Sequence, residues 1–220
     1  MILAVVSGKG GVGKSTLSFE LAAELGAVVV DADLGMANLP YAPGPDLHDV
    51  LAGRADPLEA VRSGGPVSIL PCGRTLAGAR AADTRLLADA LHAVEAAYGD
   101  VVVDCPAGMR ADAGVPLAVA DACVVVASPK GYALADAVRT RELARELGCG
   151  LAAVAVNRVV DAVPLDAFAD VLGAPATGIP ADSRLAEAVE RFEPVVASSP
   201  ESLPSARIRE LADAVRVSGR

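Results

Sequence analysis

The chain has 220 residues, long enough for one domain with a substantial core. Apolar residues make up 53% and aromatics only 3%, a balance dominated by alanine and valine that suits a parallel sheet covered by helices. A formal charge of -9 argues against a nucleic-acid or anionic-lipid surface unless a local basic patch intervenes.

In chain order, Ile2–Val6 is a short apolar run followed by a glycine-rich loop. Leu17, Leu21 and Leu25 then recur at helical spacing from Lys14 onward, and Gly26 is placed to end that helix. Further apolar runs read as strands at Ala27–Val30, Val67–Leu70, Val101–Val103, Val124–Ala127 and Leu151–Val156, with a weaker one at Thr177–Ile179. Helices are expected over roughly Leu47–Ala52, Thr84–Ala97, Leu134–Leu147, Leu165–Val171, Ser183–Arg191 and Pro204–Val215, and an exposed loop over Ala37–Pro45. The strands are continuously apolar and alternate with helices. That pattern predicts an α/β fold: a single doubly wound, mostly parallel sheet with helices on both faces. Ligands bind such sheets at the carboxyl ends of the strands.

Met1 leads straight into a strand-like run, so no signal peptide is expected. No apolar run approaches the roughly 18 residues of a spanning helix, and a cytoplasmic location is expected. Cys72, Cys105, Cys123 and Cys149 are far apart and form no C-x-x-C pair. They read as buried free thiols of a reducing compartment, and their spacing gives a shared metal or cluster site little support.

The loop Ser7-Gly-Lys-Gly-Gly-Val-Gly-Lys-Ser-Thr16 satisfies G-x-x-x-x-G-K-[ST] between a strand and an amphipathic helix. Glycines let backbone N–H groups curl around phosphate oxygens, and the following helix aims its positive end at the anion. Lys14 supplies charge for the β- and γ-phosphates, and the Ser15 hydroxyl is a hard ligand for Mg²⁺. The loop also holds Lys9, in a chain whose only other lysine is Lys130. A solvated loop charge is the plain reading; a slim ammonium entering a crowded phosphate site is the sharper one.

K-G-G-x-G-K-[ST] resembles the loop of the MinD/ParA-type deviant phosphate-loop ATPases, and the chain looks closest to MinD-like proteins. The resemblance implies an ATP-sandwiched homodimer in which Lys9 acts on the partner subunit's phosphates. It implies that Gly8, Gly10, Gly11, Val12, Gly13, Lys14, Ser15 and Thr16 bind ATP or ADP, with Thr16 at the α-phosphate. Asp31-Ala-Asp-Leu-Gly-Met-Ala-Asn-Leu39 is similar to the family's first switch and Asp104-Cys-Pro-Ala-Gly108 to its second. His48-Asp-Val-Leu-Ala-Gly53 and Leu70-Pro-Cys-Gly73 resemble MinD-type segments. Asn157-Arg158 and Ile179-Pro180-Ala-Asp182 resemble the adenine-binding stretches, and Asp136 a position near the nucleotide-dependent partner surface.

Asp31, Asp33 and Asp104 each follow an apolar run, where an unpaired carboxylate is expensive. Bound Mg²⁺ and its waters would compensate such charges. Asp104 is assigned to the Mg²⁺ shell; by resemblance Asp31 supports that shell and Asp33 positions the attacking water. Helix caps or turns are the alternative for all three, as a turn is for Asn157 and a cap for Asp182.

The sequence also departs from the family. The last helix has Ile208, Leu211 and Val215 on one face but lacks the aromatics and lysines of an interfacial helix, so direct membrane anchoring is doubtful. From Asp182 onward, six arginines face seven acids, which does not support nucleic-acid binding. Glu193 and Lys130 stand where the family often has glycine and an acid. The leading expectation is therefore a weak Mg²⁺-dependent ATP hydrolase working as an ATP-driven dimerisation switch in spatial organisation, with an unidentified partner or activator. A nucleotide-binding scaffold with little hydrolysis is the second expectation. An iron–sulfur carrier would need paired cysteines, and a metabolic ligase or kinase would need a dedicated substrate pocket.

Overall fold

The structure, a computed structural model, describes residues 1–218 apart from Met36, Tyr41, Ala42, Met109, Arg110 and Gly131, and residues 111–113 through their backbone alone. Seven apolar runs form the strands β1 (Ile2–Val6), β2 (Val28–Asp31), β3 (Ser68–Leu70), β4 (Val101–Asp104), β5 (Ala122–Ala127), β6 (Gly150–Val159) and β7 (Ala176–Pro180). Between β1 and β4 lie α1 (Lys14–Leu25), α2 (Leu47–Leu51), α3 (Pro57–Ala60), α4 (Leu76–Ala81), a 3₁₀ turn (Thr84–Leu86) and α5 (Leu87–Tyr98). After β4 come α6 (Ala111–Val119), α7 (Ala133–Glu146), α8 (Leu165–Leu172), α9 (Ser183–Arg191), α10 (Val195–Ser198) and α11 (Leu203–Ser218).

The strands join one sheet in the order β3-β2-β4-β1-β5-β6-β7, and every strand pair is parallel. Alternate residues of each strand face opposite layers. Ile2, Ala4 and Val6 of β1 enter one core with α2, α3, α5, α6, α7 and α8, whereas Leu3 and Val5 enter the other with α1, α9, α10 and α11. Both faces are covered, which is why the strands read as unbroken apolar runs. The final helix is part of this fold: Ile208, Leu211, Ala212 and Val215 are buried on the sheet. No helix among the described residues is long and apolar enough to cross a membrane.

β1 holds the centre, so its carboxyl end opens between neighbours whose connections run to opposite sides, the place where such sheets bind ligands. β2 and β4 pair in register from Val28↔Val101 to Asp31↔Asp104, which sets the two carboxylates side by side at the edge of that opening. Gly26 closes α1 in the left-handed conformation, its N–H bonded to the Ala22 carbonyl. The described residues between Ala37 and Pro45 lie outside helices and strands, but Leu39 is buried in the core rather than exposed. Four helices arise that apolar periodicity does not announce. α3 and α10 have four residues each, α4 has six, and α6 carries Pro116 inside it.

Candidate functional site

The loop between β1 and α1 lines a cavity of about 450 Å³ with Asp33, Gly35 and Asn38 from the loop after β2, Pro106 and Ala107 after β4, and Arg158 after β6. Gly11 and Gly13 carry φ of 76° and 90°, values that side chains with a Cβ resist. At Gly13 a Cβ would also lie 2.2 Å from the Asn157 amide nitrogen. α1 begins with no side-chain cap and no acid in its first turn, so its leading N–H groups are left for an anion.

Lys14 is buried, with its ammonium 2.9 Å from Asp104 Oδ1. Burial pushes that ammonium toward release of its proton, but the Asp104 charge and hydrogen bond more than offset this and hold its pKa above the usual value. The Ser18 hydroxyl, one turn further along α1, donates to the same Oδ1 at 3.1 Å and to the Lys14 carbonyl at 3.0 Å. Asp104 Oδ2 is buried and meets no hydrogen-bond partner among the described residues. Ser15 lines the cavity alongside Lys14. A buried, unsatisfied carboxylate oxygen beside a serine hydroxyl fits a hard divalent cation or a water bound to one.

Asp31 is fully buried, and its carboxylate gathers the next loop. It accepts the N–H of Asp33 at 3.2 Å, of Asn38 at 2.8 Å and of Leu39 at 3.0 Å. Burial and the neighbouring Asp104 charge push its pKa up to about 7, against the pull of those three N–H groups. Its visible role is to shape the loop that brings Asp33 and Gly35 to the cavity. Asp33 itself is half-buried there and accepts from the Asn38 side chain at 3.3 Å.

Lys9 turns the other way. Its ammonium is 2.9 Å from Asp136 Oδ2 on α7 and 4.0 Å from the ring centre of Tyr132, and the side chain is 54% exposed. Gly8 permits this approach, since a Cβ there would lie 3.0 Å from the Asp136 Cβ and 3.1 Å from the Thr140 hydroxyl. The two loop lysines are thus divided, one inside the cavity and one on its rim.

A second, smaller hollow of about 50 Å³ adjoins the first and shares Gly13, Thr16 and Arg158 with it. Asn157, Pro180 and Asp182 line it too. The Asn157 amide donates to the Val12 carbonyl at 2.8 Å, which ties the phosphate loop to β6. Arg158 has a left-handed backbone, φ 63°, at an irregularity in the β6–β7 pairing. Asp182 caps α9 by accepting the Arg184 N–H at 2.9 Å and pairs with the Arg184 guanidinium at 2.7 Å. Those hydrogen bonds hold its carboxyl below the usual range.

The structure therefore brings Gly8, Lys9, Gly10, Gly11, Val12, Gly13, Lys14, Ser15, Thr16, Asp31, Asp33, Asp104, Asn157, Arg158, Pro180 and Asp182 to one end of the sheet. Ser18, Asn38 and Tyr132 join them without having been singled out in the sequence. Ser18 had a signal, because it follows Lys14 by one helical turn and shares its face. Each cysteine is a buried free thiol, and no cluster suited to a metal ion occurs among the described residues.

A phosphate loop opening a helix at the centre of a seven-stranded parallel sheet defines a nucleotide-binding α/β protein. The chain belongs to the CobQ/CobB/MinD/ParA nucleotide-binding family, whose domain matches residues 3–195. It is similar to an uncharacterized ATP-binding protein of Methanocaldococcus jannaschii, 32% identical over 225 residues covering 96% of this chain and 85% of that one. Among solved structures, the Pyrococcus furiosus cell division ATPase MinD superposes with a TM-score of 0.90 at 30% identity, covering 98% of each chain. The septum site-determining protein MinD of Pyrococcus horikoshii, complexed with Mg-ADP, superposes with a TM-score of 0.89 at 30% identity, covering 97% of this chain and 95% of that one.

Proposed function

We propose that this protein binds ATP with Mg²⁺ and hydrolyses it slowly, as a switch between a free subunit and an ATP-dependent homodimer that helps to place or time another cellular assembly. The observation that carries this reading is the division of the two loop lysines. Lys14 is sunk beside Asp104, whereas Lys9 stands on the rim, half-exposed and paired with Asp136 rather than with Asp104. A rim ammonium of this kind is placed to meet a triphosphate held by a second copy.

Within one subunit, the loop N–H groups and the α1 N-terminus hold the phosphates, and Lys14 neutralises their charge. Ser15 and Asp104 Oδ2 would hold the Mg²⁺, which when bound screens the phosphate oxygens and steadies the leaving group. Asp31 fixes the loop that carries Asp33, and Asp33 orients water at the cavity mouth. Asn157, Arg158, Pro180 and Asp182 border the base. A cytoplasmic setting, a protein activator, and the lack of direct DNA or membrane attachment complete the reading.

Single-turnover ATP hydrolysis combined with size-exclusion chromatography tests it. Wild type should hydrolyse; Asp33→Ala should accumulate as an ATP-bound dimer; Lys9→Ala should bind nucleotide yet stay monomeric. Equal and negligible turnover in wild type and Asp33→Ala, with nucleotide still bound, would favour a nucleotide-holding scaffold. A normal Lys9→Ala dimer would remove the role across the interface.

A further inference from the structure

The segments His48–Gly53 and Leu70–Gly73 do not line the nucleotide cavity or the hollow beside it. They meet instead behind the loop that carries Asp33. The Asp31 carboxylate holds that loop by the N–H groups of Asp33, Asn38 and Leu39. Arg74 holds it by the Leu39 carbonyl at 3.4 Å. Directly after Asp33, the Leu34 carbonyl lies 3.0 Å from His48 Nε2. A carbonyl only accepts, so Nε2 carries the proton and donates it.

Three elements fix the His48 ring. His48 stands on α2, whose start is closed by a capping box between Asp46 and Asp49. The Leu47 N–H donates to the Pro71 carbonyl at 2.9 Å, which joins α2 to the end of β3. Just beyond, the Cys72 sulfur lies 3.5 Å from Nε2. Gly73 and Gly78 close on the other ring nitrogen: a Cβ at either would lie 2.3 Å or 2.7 Å from Nδ1. The ring is 2% exposed. With Nε2 as donor, Nδ1 is a buried acceptor, and it finds no partner among the described residues. A buried acceptor without a partner is destabilising, and a leucine would fill the space without one. What histidine adds is a donor, and that donor faces the Leu34 carbonyl.

We propose that His48 is a positioning residue for hydrolysis, tethering the Leu34 carbonyl so that Asp33 stays aimed at the cavity mouth. Leu34 follows Asp33 directly, and a Leu34 peptide that turns carries Asp33 with it. Gly35, which lines the cavity beside Asp33, would otherwise leave that peptide free to turn. Asp31 and Arg74 act at residues 33, 38 and 39 and leave the Leu34 carbonyl to His48. This role rests on the reading of Asp33 as the group that orients water; the tether itself does not.

The test uses the intact chain, first without nucleotide and then with Mg-ATP. His48→Leu removes the donor at similar volume, and His48→Gln keeps a donor nitrogen at the same reach along the side chain. Residue-resolved hydrogen exchange should show the Leu34, Asn38 and Leu39 amides of nucleotide-free His48→Leu exchanging at least about tenfold faster than in wild type. Amides of α2 and β3 should keep their protection, and His48→Gln should regain it at all three loop positions. In single-turnover hydrolysis, His48→Leu should lose at least about tenfold in rate while nucleotide affinity stays within about twofold. His48→Gln should restore most of that rate. Gly78→Ala, whose methyl would lie 2.7 Å from Nδ1, should loosen the same amides with His48 in place, and serves if His48→Leu does not fold.

Unchanged exchange at the three loop amides, in His48→Leu or in the Gly78→Ala variant that replaces it, overturns the proposal. Faster exchange spread evenly over α2 and β3 would reduce His48 to packing and overturn it too, as would a His48→Gln variant that melts like wild type yet recovers neither protection nor rate. Wild type that binds nucleotide without turning it over would sink the ATPase reading, and the role toward Asp33 with it. Active wild type matched in rate by His48→Leu would sink the role of His48 alone.

Discussion

The two halves of the nucleotide crevice are built differently. On the phosphate side, Asp31, Asp104, Lys14 and Ser18 are buried and joined across β2, β4 and α1 by contacts far apart in sequence. On the side proposed for the base, Arg158 and Asp182 sit near solvent, and among the described residues Asp182 bonds to its neighbour Arg184. A buried charge has lost its hydration in a low-dielectric surrounding, so each one demands its partner. Exposed groups interact through water and tolerate substitution. The phosphate side should therefore fail as a unit, and the base side should fail piecemeal.

The largest effect is expected for Lys14→Met. It leaves Asp104 buried next to Asp31 without its cation, a loss on the order of 3–5 kcal/mol that chemical denaturation would register. Nucleotide affinity should fall with it. The same charge cluster sets a pH dependence in wild type. The Asp31 pKa is raised to about 7 from a usual value near 3.8. A raised folded value means that the stability linked to this carboxyl is whole below the unfolded pKa and is lost as pH climbs through about 7. Melting temperature should therefore sag across that window in chelator, and Mg-nucleotide should flatten the sag. A melting profile unmoved by Mg-nucleotide would detach Asp31 from the cation site.

Gly13→Ala breaks the joint between the halves. The added methyl meets the Asn157 amide at 2.2 Å, at a φ of 90°. Backbone strain and loss of the Asn157–Val12 hydrogen bond together should lower stability by about 2 kcal/mol. Binding of a fluorescent ATP analogue should drop as well, because the loop can no longer close on β6. Wild-type binding with lowered stability would show that the phosphate side keeps its shape without that tie.

The same contrast explains what was legible beforehand. The sheet, both cores and the phosphate loop were readable, because apolar runs, helical spacing and the Gly13-Lys14-Ser15 pattern are each forced by burial or by contact with an anion. Asp31 and Asp104 were readable as costly charges at strand ends. Their division of labour was not, because three loop N–H groups converge on Asp31 only once Leu39 is folded into the core. The position of Lys9 on Asp136 and Tyr132 depends on the approach of α7 to Gly8, which no local pattern encodes. α4 escaped notice for a related reason: its side chains are largely exposed and carry no apolar period.

The smallest effect separates two roles for Asp182 on the base side. Its carboxylate caps α9 through the Arg184 N–H and is turned onto the Arg184 guanidinium. As a cap, Asp182→Ala should lower stability by about 1 kcal/mol and move nucleotide affinity by less than about threefold. As a base contact, the same change should weaken ATP but not a triphosphate lacking the base, and leave the denaturation midpoint where it was. Asp182→Asn distinguishes them further, since asparagine caps nearly as well but cannot hold Arg184 by charge. A cap predicts recovery of most of the lost stability in that variant. Affinity that follows the charge rather than the cap would move Asp182 from the helix end to the nucleotide.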